Sequence, residues 1–167
     1  MPNTPLPVHK LYLLLGANLG DKKHTFEQAL HYIADQVGDI VLLSGLYETA
    51  AWGVTEQPTY MNQVLLVVTY LKPAEVLTHT LAIEEQLGRV RAEKWGARVI
   101  DIDLLFYDDL IINTPTLTLP HPLLHERRFT LVPLAEIAPD LVHPALNKTA
   151  NELLISCSDD SEVIKFS

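Results

Sequence analysis

Cysteine is almost absent from this chain. The single one, Cys157, excludes an internal disulfide and suits a reducing compartment. Long apolar runs are missing as well; none approaches the roughly 18 residues that a membrane span requires. The N-terminal MPNTPLPVHK has neither the charged start nor the apolar stretch of a signal peptide. A cytoplasmic protein without a membrane segment is therefore expected. Positive charge is scarce: the 167 residues carry a net charge of −9. That argues against a general nucleic-acid binder, because counterion release needs a basic face. No complete phosphate-binding loop is present either. Gly-Ala-Asn-Leu-Gly at 16–20 lacks the lysine and the serine or threonine of a P-loop, and the third glycine of a dinucleotide fingerprint. It reads as a strand-to-helix turn. There is no internal repeat and no interdomain linker. Residues 1–167 are expected to form one domain, with flexible ends at 1–8 and about 157–167.

The few cations are unevenly placed. All five arginines lie between Arg89 and Arg128, while the lysines are scattered. The planar guanidinium binds phosphate oxygens through two parallel hydrogen bonds, which an ammonium does not do. An acidic protein that gathers its arginines in one region is expected to recognise a small anion there.

The stretch WGARVIDIDLLFY, 95–107, gives that region its chemistry. Its β-branched, aliphatic and aromatic residues read as a strand. Side chains alternate along a strand, so Asp101 and Asp103 share one face, about 7 Å apart, and Ile100, Ile102 and Leu104 point to the other. Two carboxylates beside an apolar wall need cations, and such oxygen ligands suit a hard divalent ion such as Mg²⁺. Arg89, Arg91, Lys94 and Arg98, just upstream, suit phosphates.

Taken in order, residues 9–16 predict a buried strand. Asp21 is placed to cap a helix with Phe26, Ala29, Leu30, Ile33 and Val37 on one face, and Gly38 to end it. Residues 40–49 and 62–71 predict two further strands, joined by a loop of about a dozen residues that carries Trp52 and Tyr60. Pro73 opens a second helix with Val76, Leu77, Thr80, Ile83, Glu84 and Leu87 along one side, closed by Gly88. A polar, cationic loop from Arg89 to Ala97 leads into the aspartate strand, which turns at Asp108-Asp109 into a short partner around 110–112. Residues 114–124 are proline-punctuated and extended, 125–129 a polar turn, 130–138 a short helix and 147–155 a last one, before an acidic tail. The order βαββαβ predicts an α+β sandwich of the split-βαβ, ferredoxin-like kind. Its central sheet is mostly antiparallel, with elements added at the C-terminus.

Four blocks together resemble one family. They are LLLGANLGD at 13–21, WGVTEQPTYMNQV at 52–64, GRVRAEKWGARVIDIDLLFYDD at 88–109 and LPHPLLHERRFTLVPLAEIAPDLVHP at 119–144. The family is 6-hydroxymethyl-7,8-dihydropterin pyrophosphokinase. The resemblance implies transfer of a pyrophosphoryl group from ATP, the co-substrate, to the hydroxymethyl oxygen of the pterin in folate biosynthesis. It implies two Mg²⁺ ions on Asp101 and Asp103, with Arg89 and Arg98 joining those aspartates in catalysis. It places Glu84, Arg91, Lys94, Trp95, Arg98, Leu104, Thr118, His121 and Arg127 at the nucleotide. For the pterin it implies stacking rings at Tyr60 and Phe129, an amide at Asn62, backbone contacts at Thr49, and further contacts from Trp52 and Trp95. The expected partners are these small molecules, and the expected state is a monomer. Some positions depart from the family: Lys94 and Ala97 stand where arginine and proline are frequent, Ala50-Ala51 where a proline-containing pair is, and Trp52 where an aliphatic residue is. Nucleotidyl transferases, which also pair aspartates on a ferredoxin-like sheet, and a pterin- or nucleotide-binding module without catalysis are the alternative readings.

Overall fold

The computed structural model describes residues 6–49, 59–88 and 99–167. Strand β1 (His9–Ala17) and strand β4 (Tyr60–Thr69) are its apolar middle, both buried along nearly their whole length. Between them in the chain come α1 (Lys22–Gln36), β2 (Asp39–Leu43) and β3 (Tyr47–Thr49). Helix α2 (Pro73–Gln86) and β5 (Asp101–Tyr107) follow. The sheet runs β5-β1-β4-β3 with β2 also on β4, and every pairing among the described residues is antiparallel. This is the split-βαβ order that the sequence predicts.

Local chemistry explains the elements. Asp21 accepts a hydrogen bond from the backbone N–H of His24 and so caps α1. Phe26, Ala29 and Ile33 are buried at helical spacing, and Val76, Thr80, Ile83 and Glu84 do the same on α2. Alternation along β1 then divides the core. Leu11, Leu13 and Leu15 pack beneath α1 and α2, while Tyr12 and Leu14 face α3 (Arg128–Ile137) and α4 (Ala150–Ile155). The ferredoxin-like part is thus two layers, and the added C-terminal helices supply a third on the opposite face.

Several boundaries differ from the sequence reading. The expected strand 40–49 is two strands, because the chain bends at Ser44–Leu46. There the Ser44 hydroxyl takes the N–H of Val64, which keeps β4 paired across the bend. Gly38 is required by closeness more than by helix termination: a Cβ there would stand 2.2 Å from the carbonyl oxygen of Val68. The short strand after Asp108-Asp109 does not pair with the aspartate strand. It is β6 (Ile112–Asn113), paired with β7 (Thr118–Leu119) in a separate hairpin. Helix α3 starts at Arg128, two residues before the expected position, so Phe129 lies on its first turn. The helix also runs through Pro133, whose missing N–H leaves the Phe129 carbonyl without its intrahelical donor. The acidic tail contributes a strand. Residues Val163–Lys165 form β8, which pairs with β3 and completes that edge of the sheet.

Candidate active site

The site is built from one row of the sheet. Asp101 pairs with Gly16, Gly16 with Asn62, and Asn62 with Tyr47. Directly paired residues present their side chains on the same face, so this row crosses four strands facing α3. Asp103, opposite Leu14, stands in the next row on that face. Asp101 and Asp103 are both half-buried, and Ile102 and Leu104 are buried on the other side, as the alternation predicts. Gly16 is the low point of the row. A Cβ on it would come within 3.1 Å of the Asn62 side-chain nitrogen. The sequence reading ended the buried strand at Gly16 and began the turn there; a lone glycine in an apolar strand pattern was the signal of close approach.

Two cavities meet at the aspartates. The first, of about 280 Å³, is lined by Leu14, Gly16, Thr49, Tyr60, Asn62, Asp101, Asp103, Arg127 and Phe129. Tyr60 and Phe129 are half-buried at its walls, and Phe129 also packs against the apolar cluster beneath α3 and α4. The Arg127 guanidinium lies over the Phe129 ring, 5.5 Å from its centroid. Asn62 is 4% exposed. Its Nδ2 donates a long 3.4 Å bond to the Leu15 carbonyl, while its Oδ1 and the buried hydroxyl of Thr49 have no hydrogen-bond partner among the described residues. Buried polar atoms are nearly always satisfied. Here they face a cavity whose aromatic walls and small polar set suit a flat heterocycle.

The second cavity, of about 350 Å³, lies on the other side of β5. Its walls come from Leu77, Leu81 and Glu84 of α2, from residues 101–104, from the hairpin turn 114–118, and from His121 and Pro122. The sequence reading named Glu84, Leu104, Thr118 and His121 among these. It missed Leu77 as a lining residue, Leu81 and the turn itself, because which helix faces which strand edge is not a local property. Glu84, 3% exposed, accepts the backbone N–H of Ile102 at 2.7 Å. Its carboxylate therefore ties α2 to the edge of β5 between the two aspartates. The backbone N–H of His121 donates to the Leu105 carbonyl at 2.9 Å, which docks the residue on β5. Burial, reinforced by the Arg127 charge, pushes its imidazole down to about 4, so the ring is neutral at neutral pH. Nδ1 accepts from the Leu123 N–H at 3.2 Å, which puts the ring proton on Nε2. Trp52, Arg89, Arg91, Lys94, Trp95 and Arg98 lie outside the described residues.

The donor set at the junction fits Mg²⁺. No group of three or more His, Cys, Asp or Glu side chains placed to hold a metal occurs among the described residues. Magnesium bound through one or two carboxylates and shared with substrate phosphates needs no larger protein cage. Two carboxylates shared by two cavities of small-molecule size suit, as a class, an enzyme that passes a group between two small substrates. Comparison with known proteins identifies the family. Residues 12–139 match the model of 7,8-dihydro-6-hydroxymethylpterin-pyrophosphokinase (HPPK), and the chain belongs to that family.

A 2-amino-4-hydroxy-6-hydroxymethyldihydropteridine pyrophosphokinase of Methylorubrum extorquens is 46% identical over 134 residues, covering 80% of this chain and 85% of that protein. One of the same name from Aquifex aeolicus is 39% identical over 142 residues, covering 85% and 88%. Among solved structures, the wild-type HPPK-DHPS of Plasmodium falciparum superposes with a TM-score of 0.76 at 18% identity, over 89% of this chain and 44% of that one. At that identity the likeness speaks for the fold. This chain spans less than half the length of the Plasmodium protein. No helix among the described residues is long and apolar enough to cross a membrane.

Proposed function

We propose that this chain is a pyrophosphokinase of folate biosynthesis, acting as one domain and as a monomer in the cytoplasm. It would transfer the β,γ-pyrophosphoryl group of ATP to the hydroxymethyl oxygen of 6-hydroxymethyl-7,8-dihydropterin. A bond forms between that oxygen and the β-phosphorus, the bond from the α,β-bridging oxygen to the same phosphorus breaks, AMP departs with that oxygen, and the hydroxyl proton passes to solvent. The observation that carries this reading is the meeting of two differently lined cavities at Asp101 and Asp103.

The roles follow from the chemistry of the walls. In the first cavity Tyr60 and Phe129 stack on the two faces of the pterin. Asn62 Oδ1 and Thr49, the orphaned polar groups, take the ring's polar edge. The second cavity takes the nucleotide. Neutral His121 donates from Nε2, and Arg127, which borders the first cavity, offers charge at the junction. Leu104 and Thr118 contribute walls there, and Glu84 holds the strand that carries the aspartates. Asp101 and Asp103 hold two Mg²⁺ ions. When bound, such ions neutralise charge on the triphosphate oxygens and lower the barrier to phosphoryl transfer. On sequence grounds Arg89, Arg91, Lys94 and Arg98 are assigned to the phosphates, Arg89 and Arg98 where charge develops, and Trp52 and Trp95 to the pterin side.

Product analysis tests the proposal. Protein mixed with Mg-ATP and the hydroxymethyl pterin is expected to yield AMP and pterin diphosphate in equal amounts. Release of inorganic pyrophosphate would favour nucleotidyl transfer instead, and no turnover at all would leave a binding module.

A further inference from the structure

The matched family residues end at 139, yet the segment beyond them reaches the pocket's roof. Helix α3 brings Arg127, its N-cap residue, and Phe129, on its first turn, to the first cavity, and that turn is poorly supported from within. Arg127 makes no side-chain cap, and Pro133 leaves the Phe129 carbonyl without its usual donor. Two successive arginines at the helix start also oppose the positive end of its dipole. Support comes from the tail. One carboxylate oxygen of Asp159 accepts the backbone N–H of Arg128 at 3.0 Å. The other accepts the backbone N–H and the hydroxyl of Ser161.

We propose that Asp159 is a positioning residue for the pterin: by capping the first turn of α3 from the C-terminal tail, it fixes Phe129 and Arg127 against the sheet floor of the cavity. The far end of the helix is already tied down. Glu136 accepts from the Tyr47 hydroxyl at 2.6 Å, the Gly45 N–H at 3.0 Å and Lys165 at 3.2 Å, and Tyr47 pairs directly with Asn62. With that end anchored to the floor, the cap at the near end decides the spacing between the Phe129 ring and Asn62. Loss of Asp159 lets the roof of the cavity rise. The mechanism rests on the pterin reading of the first cavity.

The experiment compares Asp159→Ala, Asp159→Asn, Phe129→Ala and Thr149→Ala. Thr149 caps α4 and does not line the cavity, so its loss matches the stability cost of a missing cap while leaving the Asp159 bond to the first turn of α3 in place. Titrations of 6-hydroxymethylpterin and of a non-hydrolysable Mg-ATP analogue are read beside a melting curve. Asp159→Ala is expected to weaken pterin binding about fivefold, with a smaller loss of nucleotide affinity through Arg127 and KM for pterin rising more than kcat falls. Asp159→Asn, which keeps an acceptor for the Arg128 N–H, should restore most of the affinity, and Thr149→Ala should leave it unaltered. If Asp159→Ala does not fold, Ser161→Ala, which loosens the Asp159 carboxylate, carries the test with a smaller loss in the same direction. Pterin affinity unchanged in the Asp159 or Ser161 variant but lost in Phe129→Ala overturns the positioning role and leaves the pocket in place. Affinity unchanged in Phe129→Ala as well removes the pocket reading and this proposal with it.

Discussion

Asn62→Ala separates binding from stability in sign as well as size. Asn62 is buried on β4; among the described residues its Oδ1 has no hydrogen-bond partner and its side chain makes one bond, to the Leu15 carbonyl, 3.4 Å long. A buried polar atom without a partner costs about 1–3 kcal/mol. Truncation therefore removes a liability together with a weak bond and a few side-chain contacts, and the net change in folding stability should lie within about 1 kcal/mol of zero. For a chain of this length that is a shift in Tm of about 2–4 °C at most. The bound pterin would lose a buried partner. The expected loss there is about 1.5–3 kcal/mol, or about 10- to 150-fold in Kd. Calorimetric titration with 6-hydroxymethylpterin reads the second number and differential scanning calorimetry the first. A Tm lowered by 8 °C or so with pterin affinity intact would show that Asn62 serves the sheet and not the ligand, and would refute the reasoning from its orphaned oxygen.

Other outcomes follow from the same geometry. Asp101→Asn and Asp103→Asn should each cut kcat by about 10³-fold or more while the protein stays folded, measured as AMP formation at saturating substrates; near-normal Mg-dependent turnover would remove both from the metal site. Tyr60→Leu and Phe129→Leu should each weaken pterin binding by about 0.5–1.5 kcal/mol and leave Mg-ATP analogue affinity unchanged; a lower Tm with both affinities intact would return the rings to a packing role. The imidazole of His121 is held at about 4, below its ordinary 6.5, so between those values the unfolded chain binds a proton that the folded one refuses. Its contribution to stability is complete above about pH 6.5 and is lost as the pH falls towards 4; urea unfolding at pH 7 and pH 5 should show a larger drop for the wild type than for His121→Asn, and equal drops would refute the shift. Tyr47→Phe removes the hydroxyl that Glu136 accepts at 2.6 Å and should cost about 1.5 kcal/mol in urea unfolding. Burial and the Glu136 contact both raise the Tyr47 phenol above its ordinary range, so the bond is present throughout neutral pH.

The sequence by itself settles what depends on neighbours along the chain. Strand alternation put Asp101 and Asp103 on one face and Ile102 and Leu104 on the other. Helical spacing picked out the buried side of α1 and α2, and Asp21 marked where α1 begins. The order of elements then led to the split-βαβ sheet, and long motifs led to the family. What the chain could not show locally is anything set by register or by one element resting on another. Gly16 became part of the cavity floor only because β1 pairs with β4 so that it lies opposite Asn62. The resemblance placed Glu84 at the nucleotide, but its tie to the aspartate strand exists only once α2 packs beside β5 and its carboxylate meets the N–H of Ile102. The division of the site into two cavities depends on α3 covering one face while the 114–118 turn borders the strand's edge. The tail shows the contrast most sharply: its acidic composition predicts a loose, solvated end, because composition counts charges and not partners. Only in the folded chain does Asp159 meet the uncapped start of α3, and only there does Lys165 find Glu136. Those contacts join residues about thirty positions apart, a separation over which no local preference acts and only packing decides.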